Sequence, residues 1–238
     1  MHSTPRPEFL YLGHSTILCT LPSGKVILID PWVEHNPACP AAAKELARVD
    51  AMLITHAHAD HMGDAVELAK KHQPAQVVAC YELASWLTGQ GVANCVGMNL
   101  GGNLDVLGAR VSMVRADHSS AISTPDGFVY GGLAAGYVVR LAGGYTFYHA
   151  GDTALFSDME LISELYRPEL AFLPIGDLFT MDPRHAAIAC RLLGISTVIP
   201  IHYATFPALT GTAEALAAAL LDRGIATEVV ALKPGESY

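Results

Sequence analysis

Thr55-His56-Ala57-His58-Ala59-Asp60-His61 puts three imidazoles and a carboxylate directly after the apolar stretch Ala51-Met52-Leu53-Ile54. An apolar run that short reads as a strand buried on both faces. The His-rich run therefore stands at a strand end, against the core. Three histidines and an aspartate confined there would repel one another or lie unsatisfied unless a cation organised them. Imidazole nitrogen and carboxylate oxygen are the donors that suit zinc and similar divalent ions. The plainer alternative is a His-rich surface loop that picks up metal adventitiously.

The rest of the chain repeats the strand signal. Short apolar runs occur at Lys25–Ile29, Ala51–Thr55, Gln76–Cys80, Arg110–Val114, Tyr145–Tyr148, Leu170–Pro174 and Thr197–Ile201. Helical patterns lie between them at Asp64–His72, Asp158–Tyr166, Asp182–Leu193 and Thr212–Arg223. Asp182 with Pro183 opens a helix in the usual way, and Gly224 sits where a C-terminal cap belongs. The alternation predicts an α/β fold. Helix-free stretches over Phe9–Leu21 and Gly136–Tyr148 add antiparallel hairpins, so the sheets are expected to be mixed. The order hairpin, then strand–helix units, occurs over about 8–117 and again over about 128–230. It predicts one domain spanning 1–238, with two similar halves packed sheet on sheet and helices outside. A chain of 238 residues suits that size.

Further candidate ligands share the placement of His56: each directly follows an expected strand. His118 follows Arg110–Ala116, Asp152 follows Tyr145–His149, and His202 follows Thr197–Ile201. Groups at the same ends of neighbouring strands converge on one cleft, where α/β folds usually bind ligands. Asp152, after Ala150-Gly151, also reads as a simple turn residue.

His-x-His-x-Asp-His, with His118, Asp152 and His202 in that order and context, resembles the metal-binding pattern of the metallo-β-lactamase superfamily. Gly131–Gly136, Tyr148–Met159, Leu173–Pro183 and Pro200–Pro207 are similar to one subgroup, the small metal-dependent hydrolases related to ascorbate-6-phosphate lactonases. The resemblance covers nearly the whole chain. It implies a four-layer αββα sandwich of two mixed β-sheets flanked by helices. It also implies two divalent metal ions, zinc first, with manganese, iron, cobalt or nickel as alternatives. His56, His58 and His118 would hold one ion, and Asp60, His61 and His202 the other. Asp152 would bridge them together with a water or hydroxide that attacks the substrate. Asp60 and Asp152 are thus the implied catalytic carboxylates. Asp30 would support a ligand histidine or its loop; as a residue ending a strand before Pro31 it also reads as a turn.

His14, Ser119, Asp177 and Thr180 are candidates to line the substrate pocket. One departure from the subgroup pattern falls among them. Gly-Gly-x-Phe-Thr-Met is expected where the chain has Gly176-Asp177-Leu178-Phe179-Thr180-Met181. His149 is expected to pack beside the site, and His2, His35, His72 and His185 to have no part in it.

Charge narrows the partners. The chain carries 14 Lys and Arg against 23 Asp and Glu, a net charge of −9, with no basic block beyond Lys70-Lys71. Nucleic acid and anionic membrane are poor partners for such a surface. Five scattered cysteines without a Cys-x-x-Cys pair, and an opening without an apolar h-region, point to the cytoplasm. The expected activity is metal-dependent hydrolysis of a small ester, lactone or amide. A phosphodiesterase or nuclease using the same two ions is the alternative, and a homo-oligomer is compatible with such a compact α/β chain.

Overall fold

The computed structural model describes residues 6–238; His2 and most of the opening read for an export signal lie outside them. The first sheet begins as a meander of β1 (Glu8–Gly13), β2 (Thr16–Thr20) and β3 (Val26–Ile29). It continues with β4 (Ala51–Leu53), β5 (Gln76–Cys80) and β6 (Cys95–Met98). The order is β1-β2-β3-β4-β5-β6, antiparallel up to β3 and parallel from there. Helices α1 (Ala59–Met62) and α2 (Ala65–His72) link β4 to β5, and α3 (Tyr81–Gly89) links β5 to β6.

The second sheet holds β7 (Asn103–Val106), β8 (Ala109–Arg115), β11 (Ala135–Arg140), β12 (Thr146–His149), β13 (Leu170–Pro174), β14 (Thr197–Ile201) and β15 (Glu228–Val229). Its order is β15-β14-β13-β12-β11-β8-β7. Here too an antiparallel part, β7 to β12, leads into a parallel part, β12 to β15. Asn103–Arg115, which the sequence groups with the first half, belongs to the second sheet because β8 pairs along its length with β11. A separate hairpin of β9 (Ala121–Thr124) and β10 (Gly127–Tyr130) stands between β8 and β11.

The inner faces of the two sheets share one core. Phe9 of the first sheet meets Phe147 and Phe172 of the second edge-on, with ring centroids 4.8 and 5.1 Å apart. Each such buried ring contributes roughly 1.5–3 kcal/mol. Strand alternation turns Tyr148, Ala171, Leu173 and Val198 to the other side. There they pack against α4 (Met159–Tyr166), α5 (Pro183–Leu193) and α6 (Ala213–Asp222). Leu68 of α2 and Leu83 and Leu87 of α3 pack on the first sheet. The architecture is a four-layer sandwich, helices–sheet–sheet–helices.

Local signals set the helix ends. The Asp182 carboxylate accepts from His185 N at 2.7 Å and the Thr212 hydroxyl from Ala215 N at 3.1 Å. Gly224 takes the left-handed conformation past the end of α6. The last residues run antiparallel to β1, with Phe9 N donating to Tyr238 O at 2.9 Å, and so cover the edge of the first sheet. Among the described residues no helix is long and apolar enough to cross a membrane.

Candidate metal centre

The site forms at the C-terminal ends of strands from both sheets. His56 follows β4, Asp60 and His61 lie in α1, His118 follows β8, Asp152 follows β12 and His202 follows β14. One atom is at the centre. Asp152 Oδ2 lies 2.9 Å from His202 Nε2, 3.3 Å from His61 Nε2, 3.5 Å from His118 Nε2 and 3.9 Å from His56 Nε2. Asp152 is almost wholly buried, and among the described residues its Oδ1 has no hydrogen-bond partner; neither has His61 Nε2. Burial alone would raise the Asp152 carboxyl, but His202 and His61 beside it hold it well below the usual range.

On one side a further nitrogen, His58 Nδ1, joins two of these. His58 Nδ1 is 3.1 Å from His56 Nε2 and 3.3 Å from His118 Nε2. Burial pushes the pKa of all three rings down, which favours the neutral imidazole with a lone pair to offer. One ring proton cannot satisfy three nitrogens, whereas one cation accepts all three lone pairs. On the other side, burial disfavours a charged His61, yet Asp152 and Asp30 together outweigh it and raise its pKa well above the ordinary value. Both halves of the cluster therefore call for positive charge between the side chains. The donor set, imidazole and carboxylate, fits a divalent ion in each. Possible ligand atoms group as His56, His58, His118; as His14, Asp60, His61, His202; and as His56, His61, Asp152, all within 4.8 Å in each group.

Asp30 orients this cluster through hydrogen bonds. Its Oδ2 is 2.8 Å from His61 Nδ1 and accepts from the Thr55 hydroxyl at 2.9 Å, while Oδ1 accepts from Thr55 N at 2.8 Å. A carboxylate only accepts, so His61 donates from Nδ1 and turns Nε2 inward. With its one proton given to Asp30, the Thr55 oxygen, 3.0 Å from His56 Nδ1, accepts from that ring and turns its Nε2 inward as well. The outward nitrogen of His58 meets the exposed Ser119 hydroxyl at 3.4 Å.

His14 is fully buried, with Nε2 3.2 Å from Asp60 Oδ2 and Nδ1 3.0 Å from Thr205 Oγ1. Burial brings its pKa down to about 4 against the pull of Asp60. Burial would raise the Asp60 carboxyl, but the His14 hydrogen bond and His61 hold it below the usual range. His149 has both nitrogens engaged, Nε2 with Ser15 O at 3.0 Å and Nδ1 with Gly151 N at 3.2 Å, and offers no lone pair.

Comparison with known proteins decides the family. The model of the β-lactamase superfamily domain matches residues 25–203. The chain belongs to the β-lactamase superfamily. A UPF0173 metal-dependent hydrolase of Koribacter versatilis is 50% identical over 97% of this chain and 97% of its own. Igni18, a metallo hydrolase of the archaeon Ignicoccus hospitalis, is 33% identical and superposes with a TM-score of 0.85, covering 98% of this chain and 97% of its own. The metallo-β-lactamase fold protein YhfI of Bacillus subtilis, 15% identical over 98% of this chain and 99% of its own at a TM-score of 0.72, shares the fold.

Some of the support for the site comes from residues that the sequence pattern does not single out. Asp64 stands at the N-cap position of α2, yet its buried carboxylate turns away from the helix. It accepts instead from Val33 N at 2.5 Å, Glu34 N at 2.7 Å and the His35 ring, tying down the loop after Asp30. The buried Asn36 amide donates to Gly13 O at 3.1 Å and Trp32 O at 3.2 Å, fastening the β1–β2 turn to the same loop. A carboxylate three residues beyond His61, the end of the His-rich run, was the signal available for the first of these.

The segment that departs from the subgroup pattern comes after β13. Asp177 and Leu178 both adopt left-handed backbone, with φ of 66° and 43°. That is the physical reason for glycine at position 177 in the expected pattern; aspartate is among the few residues that tolerate it. Asp177, Leu178 and Phe179 are exposed, and neither Asp177 nor Thr180 hydrogen-bonds by its side chain to any residue of the cluster; Thr180 Oγ1 is buried without a partner.

Gly151 makes the approach of Asp152 sterically feasible. Its φ is 61°, and a Cβ there would lie 2.8 Å from Thr55 Cβ and 2.9 Å from Ala135 O. Gly151→Ala is expected to destabilise the fold by about 2–4 kcal/mol. It should also weaken metal binding, because Thr55 and Asp152 move together. Urea unfolding with metal analysis of the same preparation checks both; an unchanged midpoint refutes the expectation.

Proposed function

We propose that the chain is a metal-dependent hydrolase of small esters, lactones or amides with two divalent ions in this site. The observation that carries the reading is the single Asp152 oxygen facing four imidazole nitrogens. His56, His58 and His118 would hold one ion, Asp60, His61 and His202 the other, with Asp152 between them. The names of the relatives, metal-dependent hydrolase and metallo hydrolase, agree with it. Zinc is the first choice of ion, ahead of manganese, iron, cobalt and nickel.

Two such ions, when bound, supply an acidified water as nucleophile and a Lewis acid for the substrate oxygen. The chain's own part is to place and orient. Asp30 and Thr55 fix which nitrogens of His61 and His56 face inward. Asp60, partly open at 31% side-chain exposure, would hold its ion and also help to orient the attacking group. Ser119, exposed beside His58, is placed to meet a bound substrate. A small, uncharged electrophile suits a protein of net charge −9 better than a polyanion. The five cysteines, all free, favour a reducing compartment such as the cytoplasm.

Exhaustive chelation is expected to remove turnover and added zinc to restore it. The deciding assay sets a panel of lactones, esters and amides against a bis-aryl phosphodiester with one zinc-loaded preparation. A tenfold or larger preference for carbonyl substrates corresponds to about 1.4 kcal/mol or more in the transition state and supports the reading. A preference for the phosphodiester replaces it with a phosphodiesterase.

A further inference from the structure

We propose that His14 is a positioning residue for the second ion position: its ring pins the Asp60 carboxylate through Oδ2, and its main chain holds the His202 loop against it. This rests on the two-ion reading above. His14 falls among the possible ligand atoms, together with Asp60, His61 and His202. Its hydrogen bonds assign it a different part. Asp60 Oδ2, 3.2 Å away, can only accept, so His14 Nε2 carries the proton and has no lone pair for an ion. Nδ1 is engaged 3.0 Å from the Thr205 hydroxyl. A ring held at both nitrogens cannot turn to ligate without breaking both bonds.

The main chain of His14 works on the neighbouring ligand. Its carbonyl accepts from His202 N at 2.8 Å and from the Tyr11 hydroxyl at 3.0 Å. The His14 ring lies 4.0 Å from the His202 ring, centroid to centroid, with Trp32 and Phe206 edge-on at 5.2 and 5.7 Å. Both His14 and His202 adopt left-handed backbone, with φ of 58° and 54°. Such conformations persist where the surroundings over-determine them. Asp60 most needs this pin, being 31% exposed where the side chains of Asp152 and His202 are each 2% exposed. Thus the β1–β2 turn, far in sequence from every proposed ligand, fixes two of the three donors of one position.

The test is a cobalt(II) titration of the stripped full-length protein, followed by visible absorption, in the parent, His14→Leu and His14→Gln. Both substitutions keep the main-chain bonds and share the same backbone strain; only Gln keeps an N–H that reaches Asp60. The expected result is that Leu weakens the second equivalent tenfold or more and alters its absorption bands. The first equivalent stays unchanged, and Gln restores the second to within about threefold of the parent, in the range of losses seen for residues that orient metal ligands. Equal losses in Leu and Gln, or no loss in Leu, overturn the assignment of His14 alone. A parent that takes up one ion overturns the two-ion reading and this assignment with it. If His14→Leu does not fold, Thr205→Val decides: a weaker second equivalent with a normal first supports the pin, and unchanged binding of both overturns it.

Discussion

Replacing Asp152 by alanine is expected to lower kcat/KM by about a thousandfold or more, ~4 kcal/mol of transition-state stabilisation. The size reflects the contacts of its Oδ2. Four imidazole nitrogens, from His56, His61, His118 and His202, lie within 2.9–3.9 Å of that one oxygen. No other carboxylate in the cluster is so placed: Asp60 Oδ2 is 4.0 Å from His202 Nε2 and faces His14. Alanine removes the anion that lies between the two proposed ion positions, and Asp152→Asn keeps the shape while removing the charge. The measurement is kcat/KM on the best substrate of the carbonyl panel, with metal content determined on the same sample. Near-parental turnover with two ions still bound would exclude a central role for Asp152.

Asp30→Ala is expected to have the next largest effect, on stability as well as on the site. The Asp30 carboxylate is fully buried and serves three donors: Thr55 N, the Thr55 hydroxyl and His61 Nδ1. Its removal leaves those donors without a partner in the interior, a loss of about 3–5 kcal/mol. Asp30 also sits in left-handed backbone with φ 51°, which alanine tolerates poorly and asparagine well. Asp30→Asn should therefore fold, with a smaller loss of roughly 1–3 kcal/mol, because its amide accepts at one atom only. Metal affinity should still fall about 10–100-fold, since the inward nitrogens of His61 and, through Thr55, of His56 are no longer fixed. Denaturant unfolding and competition with a chelating dye separate the two effects. An Asn variant of full stability and parental affinity would show that Asp30 merely ends a strand.

The strands and helices with strong local signals were legible in the chain. Leu170–Pro174 and Thr197–Ile201 are continuous apolar runs, and Asp182-Pro183 and Thr212 carry cap chemistry. The elements that escaped have weak ones. Tyr81–Gly89 opens directly from a strand with Cys80 at its cap and no side-chain cap bond. The β9–β10 hairpin exposes Phe128, Val129 and Tyr130, so no alternation of buried and exposed residues marks it. Membership of β7 and β8 in the second sheet depends on the β8–β11 ladder, a pairing between distant segments that no local pattern encodes.

The site divides in the same way. Side-chain type and position relative to a strand end are local properties, and they sufficed to bring forward His56, His58, Asp60, His61, His118, Asp152 and His202. Which nitrogen of each ring faces inward depends on partners distant in sequence: Asp30 for His61, Ser119 for His58, and Thr205 and Asp60 for His14. The sequence by itself determined the layered α/β class and the donors available to a metal. Only the tertiary structure decided that one carboxylate oxygen lies among four imidazoles and that the β1–β2 turn braces the far side of the site. The physical reason is that hydrogen-bond direction and ångström-scale separation are set by packing between two sheets, whereas donor chemistry belongs to each residue alone.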